Sequence, residues 1–265
     1  MEYRIMERIS KEIKDNKKVA LAMITESSGS TPAKKGAMMI ILEDGSTYGT
    51  IGGGNLEYKV TKEAKICIRK NINKNFTFKL DDTGSLHMQC GGSAEVFIKL
   101  FKPEKKLLIV GGGHIAYELY KLGKALDFYT VIFDDREEYC NNNRFPEIDE
   151  LQLGDIGKNL DKYPITKDCF IVIITRGHKN DEVALENVLN KEASYIGMIG
   201  SKEKTSYIMN NLLDKGINKD KLREVYAPIG LNLGGGKPNE IAFSIMSEIL
   251  IIKNNGSLEH MKDID

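Results

Sequence analysis

Apolar and polar positions alternate with several different periods along the first hundred residues. "MEYRIMERISKEIKDNKK" has the spacing of a charged amphipathic helix. "VALAMITESSG" (Val19 to Gly29) predicts a strand running into a polar loop, and "AMMIILEDGSTYGTI" predicts a hairpin that turns at Asp44-Gly45. Helical spacing returns in Leu56, Val60, Ala64 and Cys67 or Ile68. Two strand candidates, "NFTFKL" and "SAEVFIKLF", then flank the polar loop "DDTGSLHMQCGG". These elements predict a small mixed α+β domain over residues 1–103.

The rhythm changes at Lys102-Pro103-Glu104-Lys105-Lys106, a polar, proline-bearing stretch that suits a linker. Beyond it, "LLIV", "TVIF", "FIVII" and "YIGMI" are continuous apolar runs separated by helix-length segments. Strands buried on both faces of a parallel sheet have this character. Residues 104–265 are therefore expected to form a Rossmann-like, doubly wound α/β domain. It closes with a helix whose apolar stripe is Ile241, Ile245, Ile249 and Ile252, with Pro238 in the first turn.

Composition narrows the function. With 38 basic and 38 acidic residues the net charge is zero, so nothing in the overall balance calls for nucleic acid, a membrane surface or a polyanionic partner. No run reaches the length of a membrane span and the start lacks a signal peptide's apolar core, so a cytoplasmic location is expected. Cys67, Cys90, Cys140 and Cys169 are irregularly spaced without a C-x-x-C pair, which argues for reduced thiols rather than disulfides or structural zinc.

The candidate chemistry gathers at strand exits. "LLIVGGGHIAYEL" places Gly111, Gly113 and Ala116 in the dinucleotide fingerprint between strand and helix, with Asp134 at the end of the next strand as a ribose ligand. "IITRGHKND" delivers Arg176, His178 and Asp181, and "MIGSKEK" delivers Gly200, Ser201, Lys202 and Lys204, where a serine cap with lysines in the first turn suits an anion. His114 and His178 are placed to orient a ligand or move a proton; either could equally bond a loop carbonyl. Cys90, in "HMQCGGSAEV", is a candidate exposed thiol for sulfur transfer, nucleophilic chemistry or a soft metal, or else a small apolar residue under a turn. Gly52, Gly53 and Gly54 are either a ligand-facing wall or a sharp turn at positive φ.

Taken together these residues resemble the xanthine dehydrogenase accessory factor family, XdhC/CoxI. The resemblance rests on "SSGSTPAKKGAMMII", "GTIGGGNLE", "CGGSAEVFI", "VGGGHIAYEL", "VIFDDREE", "RFPE", "ITRGHKND", "YIGMIGSKEK" and "APIGLNLGGGKPNEIAFSIMSEIL", and spans nearly the whole chain. It implies a chaperone that binds the molybdenum cofactor, protects it during sulfuration and passes it to a xanthine dehydrogenase-type molybdenum hydroxylase. A cysteine desulfurase is an implied further partner, and a homodimer is expected from the general frequency of two-fold assemblies. On that reading Gly52 to Gly54 face a ligand shared by the two halves, and Cys90 touches molybdenum or sulfur. The chain departs from the family at Asn55, where cysteine is frequent, and at Ala33, where arginine is frequent and lysines follow at 34 and 35. The principal alternative is an NAD(P)-dependent oxidoreductase acting on a small substrate, with His178 and Asp181 as its proton-transfer pair. A third is a non-catalytic scaffold.

Overall fold

The computed structural model describes residues 2–29, 34–80 and 92–263. Cys90 and Ala33 lie outside the described residues. The chain divides into two compact units, Met1–Pro103 and Glu104–Asp265.

In the first unit, strands β1 (Val19–Ser28), β2 (Met38–Leu42), β3 (Thr47–Gly49), β4 (Lys74–Leu80) and β5 (Gly92–Phe101) form one antiparallel sheet in the order β3-β2-β1-β5-β4. Successive side chains of a strand point to opposite faces, and both faces of β1 are used. Ala20, Ala22 and Ile24 pack with Leu56, Val60, Ala64 and Ile68 of helix α2 (Gly54–Lys70). Val19 and Leu21 pack with Ile5 and Ile9 of helix α1 (Glu2–Lys14). The sheet is thus a central layer, which explains why β1 is apolar throughout its buried length instead of alternating.

The second unit carries five parallel strands, β6 (Lys106–Val110), β7 (Tyr129–Asp134), β8 (Glu150–Leu153), β9 (Cys169–Ile173) and β10 (Tyr195–Met198). Their order is β8-β7-β6-β9-β10, so the chain winds outward first to one side of β6 and then to the other. One face, with Leu108, Val110, Phe133 and Ile171, is covered by α4 (Ile156–Lys162), α5 (His178–Val188), α6 (Lys202–Asp214) and α7 (Lys219–Arg223). The other, with Leu107, Ile109, Ile132 and Val172, is covered by α3 (His114–Ala125) and α8 (Pro238–Asn254), the latter through Ile245 and Ile249.

Strand β8 escapes the apolar pattern. Its sequence is "ELQL", it pairs on one side only, and none of its residues is fully buried. The connection from β7 to β8 also departs from the expected helix: it is an irregular segment with one 3₁₀ turn at Glu137–Tyr139. Among the described residues, no helix is long and apolar enough to cross a membrane.

Candidate functional site

Strand pairing fixes where the site must lie. Val110 is opposite Ile173 and Met198 is opposite Ile173, so β6, β9 and β10 end side by side. Each exits through a short loop into a helix, α3, α5 and α6 respectively. The point between β6 and β9, where the winding reverses, is where open α/β sheets leave a crevice.

The three glycines after β6 have three different causes. Gly111 has φ 109°, and a Cβ there would lie 2.5 Å from the Ile174 carbonyl oxygen at the end of β9. Any side chain would push the two strand exits apart. A Cβ on Gly112 would run into the carbonyl of Tyr139, from the segment joining β7 to β8. Gly113 has an ordinary φ of −69° as the N-cap of α3, and among the described residues no atom beyond its chain neighbours lies within 4 Å of where its Cβ would be. Neither backbone strain nor a neighbour among the described residues requires glycine at 113. A ligand close to the backbone would require it.

Helix α3 begins with no side-chain cap and no acidic residue in its first turn. Its first N–H groups are therefore left without an acceptor from a capping side chain. Helix α5 also lacks a side-chain cap, with open space where a Cβ on its N-cap Gly177 would project, but it differs from α3 in that Gly177 is held at φ 94° and Asp181 lies in the first turn.

Asp134 has a different job from binding ribose. Its side chain is buried, and its carboxylate accepts from Gly112 N–H at 2.7 Å, Arg136 N–H at 3.0 Å, and Arg136 Nε and Nη2 at 2.9 Å each. Two bonds to each oxygen fill the lone-pair positions a carboxylate offers. Burial alone would raise its pKa, but the Arg136 guanidinium and the two backbone N–H groups outweigh burial and hold it below the ordinary value. Asp134 is thus a strut under the glycine loop, with no acceptor left for a sugar hydroxyl.

The proton-transfer pair fails for a similar reason. Asp181 is fully buried; Oδ1 accepts from Thr175 N at 3.0 Å and Thr175 Oγ1 at 2.6 Å, and Oδ2 pairs with Lys204 Nζ. It ties the exits of β9 and β10 together and does not bond His178, whose ring instead meets Tyr207 edge-on at 6.1 Å. Lys204 is therefore structural, while Lys202 is exposed. Ser201 caps α6 through a bond from Lys204 N–H at 3.2 Å. Gly200 is packed against the Lys204 stem. Around these helix starts, Arg176 and Lys202 form no ion pair among the described residues, and His114 is exposed beside Gly113.

In the first unit, Gly52, Gly53 and Gly54 have φ 125°, 80° and 62°, so each occupies backbone space that side chains avoid. Glu57, from the first turn of α2, reaches back beneath them. Its Oε1 accepts from Thr50 Oγ1 at 2.5 Å, Gly53 N–H at 2.9 Å and Ile51 N–H at 3.0 Å. Burial works against its ionisation, yet the Thr50 hydroxyl and the loop N–H groups bring its pKa below the usual glutamate value. The steric explanation thus accounts for all three glycines, and the loop already holds a carboxylate of its own.

Arg144, in the stretch "RFPE", is a residue to which the sequence patterns assigned no role. It sits in the irregular β7–β8 connection, donates Nε–H to the Gly112 carbonyl at 2.9 Å, and has Tyr139, Phe145 and Tyr117 rings at 5.2, 5.7 and 5.9 Å from its guanidinium carbon. Among the thiols, Cys67, Cys140 and Cys169 are free and buried, and burial pushes the pKa of each upward, away from thiolate reactivity.

The second unit is thus a Rossmann-type domain whose glycine loop opens an uncapped, acid-free helix, and it follows an antiparallel α+β unit in the chain. The profile described as the XdhC Rossmann domain matches residues 107–249, more than half of the chain, and that of the XdhC and CoxI family matches residues 13–79. The chain belongs to the XdhC/CoxI family. It is 31% identical over 239 residues to the uncharacterised protein YqeB of Escherichia coli (strain K12), covering 89% of this chain and 44% of that one. It is 25% identical over 158 residues to a probable xanthine dehydrogenase subunit from Bacillus subtilis (strain 168), covering 60% of this chain and 46% of the relative. The chain thus spans just under half the length of these curated relatives. A crystal structure described as a xanthine dehydrogenase from Bacillus halodurans shares the fold, with TM-score 0.54 and 22% identity over 95% of this chain and 96% of that one.

Proposed function

We propose that the protein is an accessory factor that binds the molybdenum cofactor, protects it during sulfuration and passes it to a xanthine dehydrogenase-type molybdenum hydroxylase. Family membership supports the reading, as does the name of the Bacillus subtilis relative. The observation that carries it is the uncapped, acid-free start of α3 at Gly113, open above, together with Arg144, Arg176 and Lys202 at the neighbouring strand exits and loop, none of which has an ion-pair partner among the described residues. The cofactor is a pterin bearing a phosphate, and these groups fit one: backbone N–H groups and cations suit its phosphate, and the missing Cβ atoms leave room for its approach. Cys90 remains the proposed thiol for a molybdenum or sulfur contact. A cysteine desulfurase as sulfur source and a homodimeric state belong to the same proposal.

The test is to mix the full chain with molybdenum cofactor released from a donor enzyme, separate by gel filtration, and assay the protein peak for molybdenum and oxidised pterin. Both should co-elute with wild type and be lost in Gly113→Asp, with Cys90→Ala reporting on the thiol. Retention of NAD alone would sink the proposal.

A second reading, an NAD(P)-dependent oxidoreductase, draws on the strand order and the glycine fingerprint. Two arrangements weigh against it: Asp134 has no free acceptor for ribose, and Asp181 is engaged away from His178.

A further inference from the structure

Two open clefts meet at Asn239 on the side of the second unit formed by α3 and α8. One, of 560 Å³, is lined by His114, Tyr117, Lys121, Arg144 and Asn239. The other, of 390 Å³, is lined by Leu233, Gly234, Gly235, Asn239 and Phe243.

The first holds an uncompensated charge. Arg144 is fixed by its bond to Gly112 and by three surrounding rings, and that bond uses one of its five N–H donors. The acids lining the two clefts are already committed. Glu118 pairs with Lys121 at 2.7 Å, and Glu240 accepts from Gly236 and Lys237 N–H at 2.9 Å each. A guanidinium held in place, with its fork free and no ion-pair partner among the described residues, is built to receive a phosphate.

The second cleft has the opposite character. Leu233 and Phe243 are 58% and 59% exposed, and between them in the chain run glycines, of which Gly234 and Gly236 have open space where a Cβ would lie. Two exposed apolar side chains beside a floor without side chains suit a flat ring. Asn239 borders both clefts and offers an amide donor and acceptor to ring heteroatoms.

We infer that the joined clefts bind a flat heteroaromatic molecule carrying a phosphate, with the phosphate on Arg144 and His114 and the ring against Leu233 and Phe243. The inference rests on the proposed function only for the expectation that the ring is a pterin and not a purine.

Calorimetric titration of the full chain with 6-hydroxymethylpterin monophosphate, guanosine 5′-monophosphate and inorganic phosphate tests it. The ring-bearing phosphates should bind at least about tenfold more tightly than phosphate alone. Arg144→Gln should weaken all three by about tenfold, and Arg144→Lys, which keeps the charge and guards against misfolding, by less. Phe243→Ala, at an exposed position, should weaken only the ring-bearing pair. Equal binding of all three, or no effect of Phe243→Ala, overturns the inference. If Phe243→Ala retains the molybdenum cofactor through gel filtration like wild type, the cleft assignment falls while the accessory role stands. If guanosine monophosphate binds more tightly than the pterin, the cleft stands and the molybdenum reading loses its ligand.

Discussion

Gly52-Gly53-Gly54 and Gly111-Gly112-Gly113 look alike in sequence, each following a strand and opening a helix, yet they solve different problems. The first triplet is left-handed throughout, and its loop N–H groups are answered by Glu57 from the helix it introduces. The second has one left-handed glycine, one at which Tyr139 leaves no room for a side chain, and one that nothing among the described residues requires. Its helix brings no acid to its own start. A glycine loop that carries its own carboxylate is complete as a turn. One whose helix start lacks such an acid is left open to a foreign anion.

The largest effect should separate the two causes within the second triplet. Gly112→Ala drives a methyl group into the Tyr139 carbonyl, and overpacking of this severity should cost about 3 kcal/mol or more. Urea unfolding measures the loss, and amide exchange in β6 and β9 against β1 and β5 assigns it to the second unit. An unchanged midpoint would mean that the Tyr139 segment does not pack on the loop. Asp134→Asn should follow at about 3 kcal/mol, because it leaves Arg136 beside a buried, neutral partner. Asp134 has a depressed pKa when folded, so its contribution is present above the ordinary aspartate value and lost as pH falls through the folded one. The wild type should therefore lose stability towards acid more steeply than Asp134→Asn does.

Breaking the other triplet should cost less. Glu57→Ala removes a charged acceptor from Thr50 and the Ile51 and Gly53 N–H groups, about 2 kcal/mol, felt in the first unit only. Its pH dependence has the same sign as that of Asp134. Glu240→Ala, which uncaps Gly236 and Lys237 at an exposed site, should cost about 1 kcal/mol. If Glu57→Ala proves as mild as Glu240→Ala, the glycine loop of the first unit does not depend on its carboxylate.

Much of this fold is legible in the sequence because burial writes a period. β6, β7, β9 and β10 are continuous apolar runs since both faces are covered, and α2 and α8 show their stripes. β8 is not legible, because an edge strand of four residues buries too little to leave a pattern. The adjacency of the strand exits was legible, the hydrogen-bond partners of their side chains less so. Spacing alone marks Asp134 and Asp181 as functional; what redirects them is a hydrogen-bond partner two residues on, Arg136, or on another strand exit, Lys204. The first of these was visible in "DDRE". Arg144 was visible in the stretch "RFPE" but drew no role, since an irregular connection has no period and the bond that reaches back to Gly112 cannot be read from spacing.

Gly113→Asp should have the smallest effect on folding and the most informative one on function. The position is the N-cap of α3 with φ −69°, a conformation open to any residue, and its Cβ would meet nothing within 4 Å among the described residues. Aspartate is among the best N-cap residues because its carboxylate accepts from the first free N–H groups and complements the helix dipole. The variant should therefore be as stable as wild type or more so, by up to about 1 kcal/mol. It also gives the second triplet what the first has from Glu57, an acid of its own at the start of the helix. If phosphate-bearing ligands are lost while the urea midpoint holds or rises, the open helix start is a binding feature. If binding persists in the stable variant, the two triplets differ only in how they turn the chain.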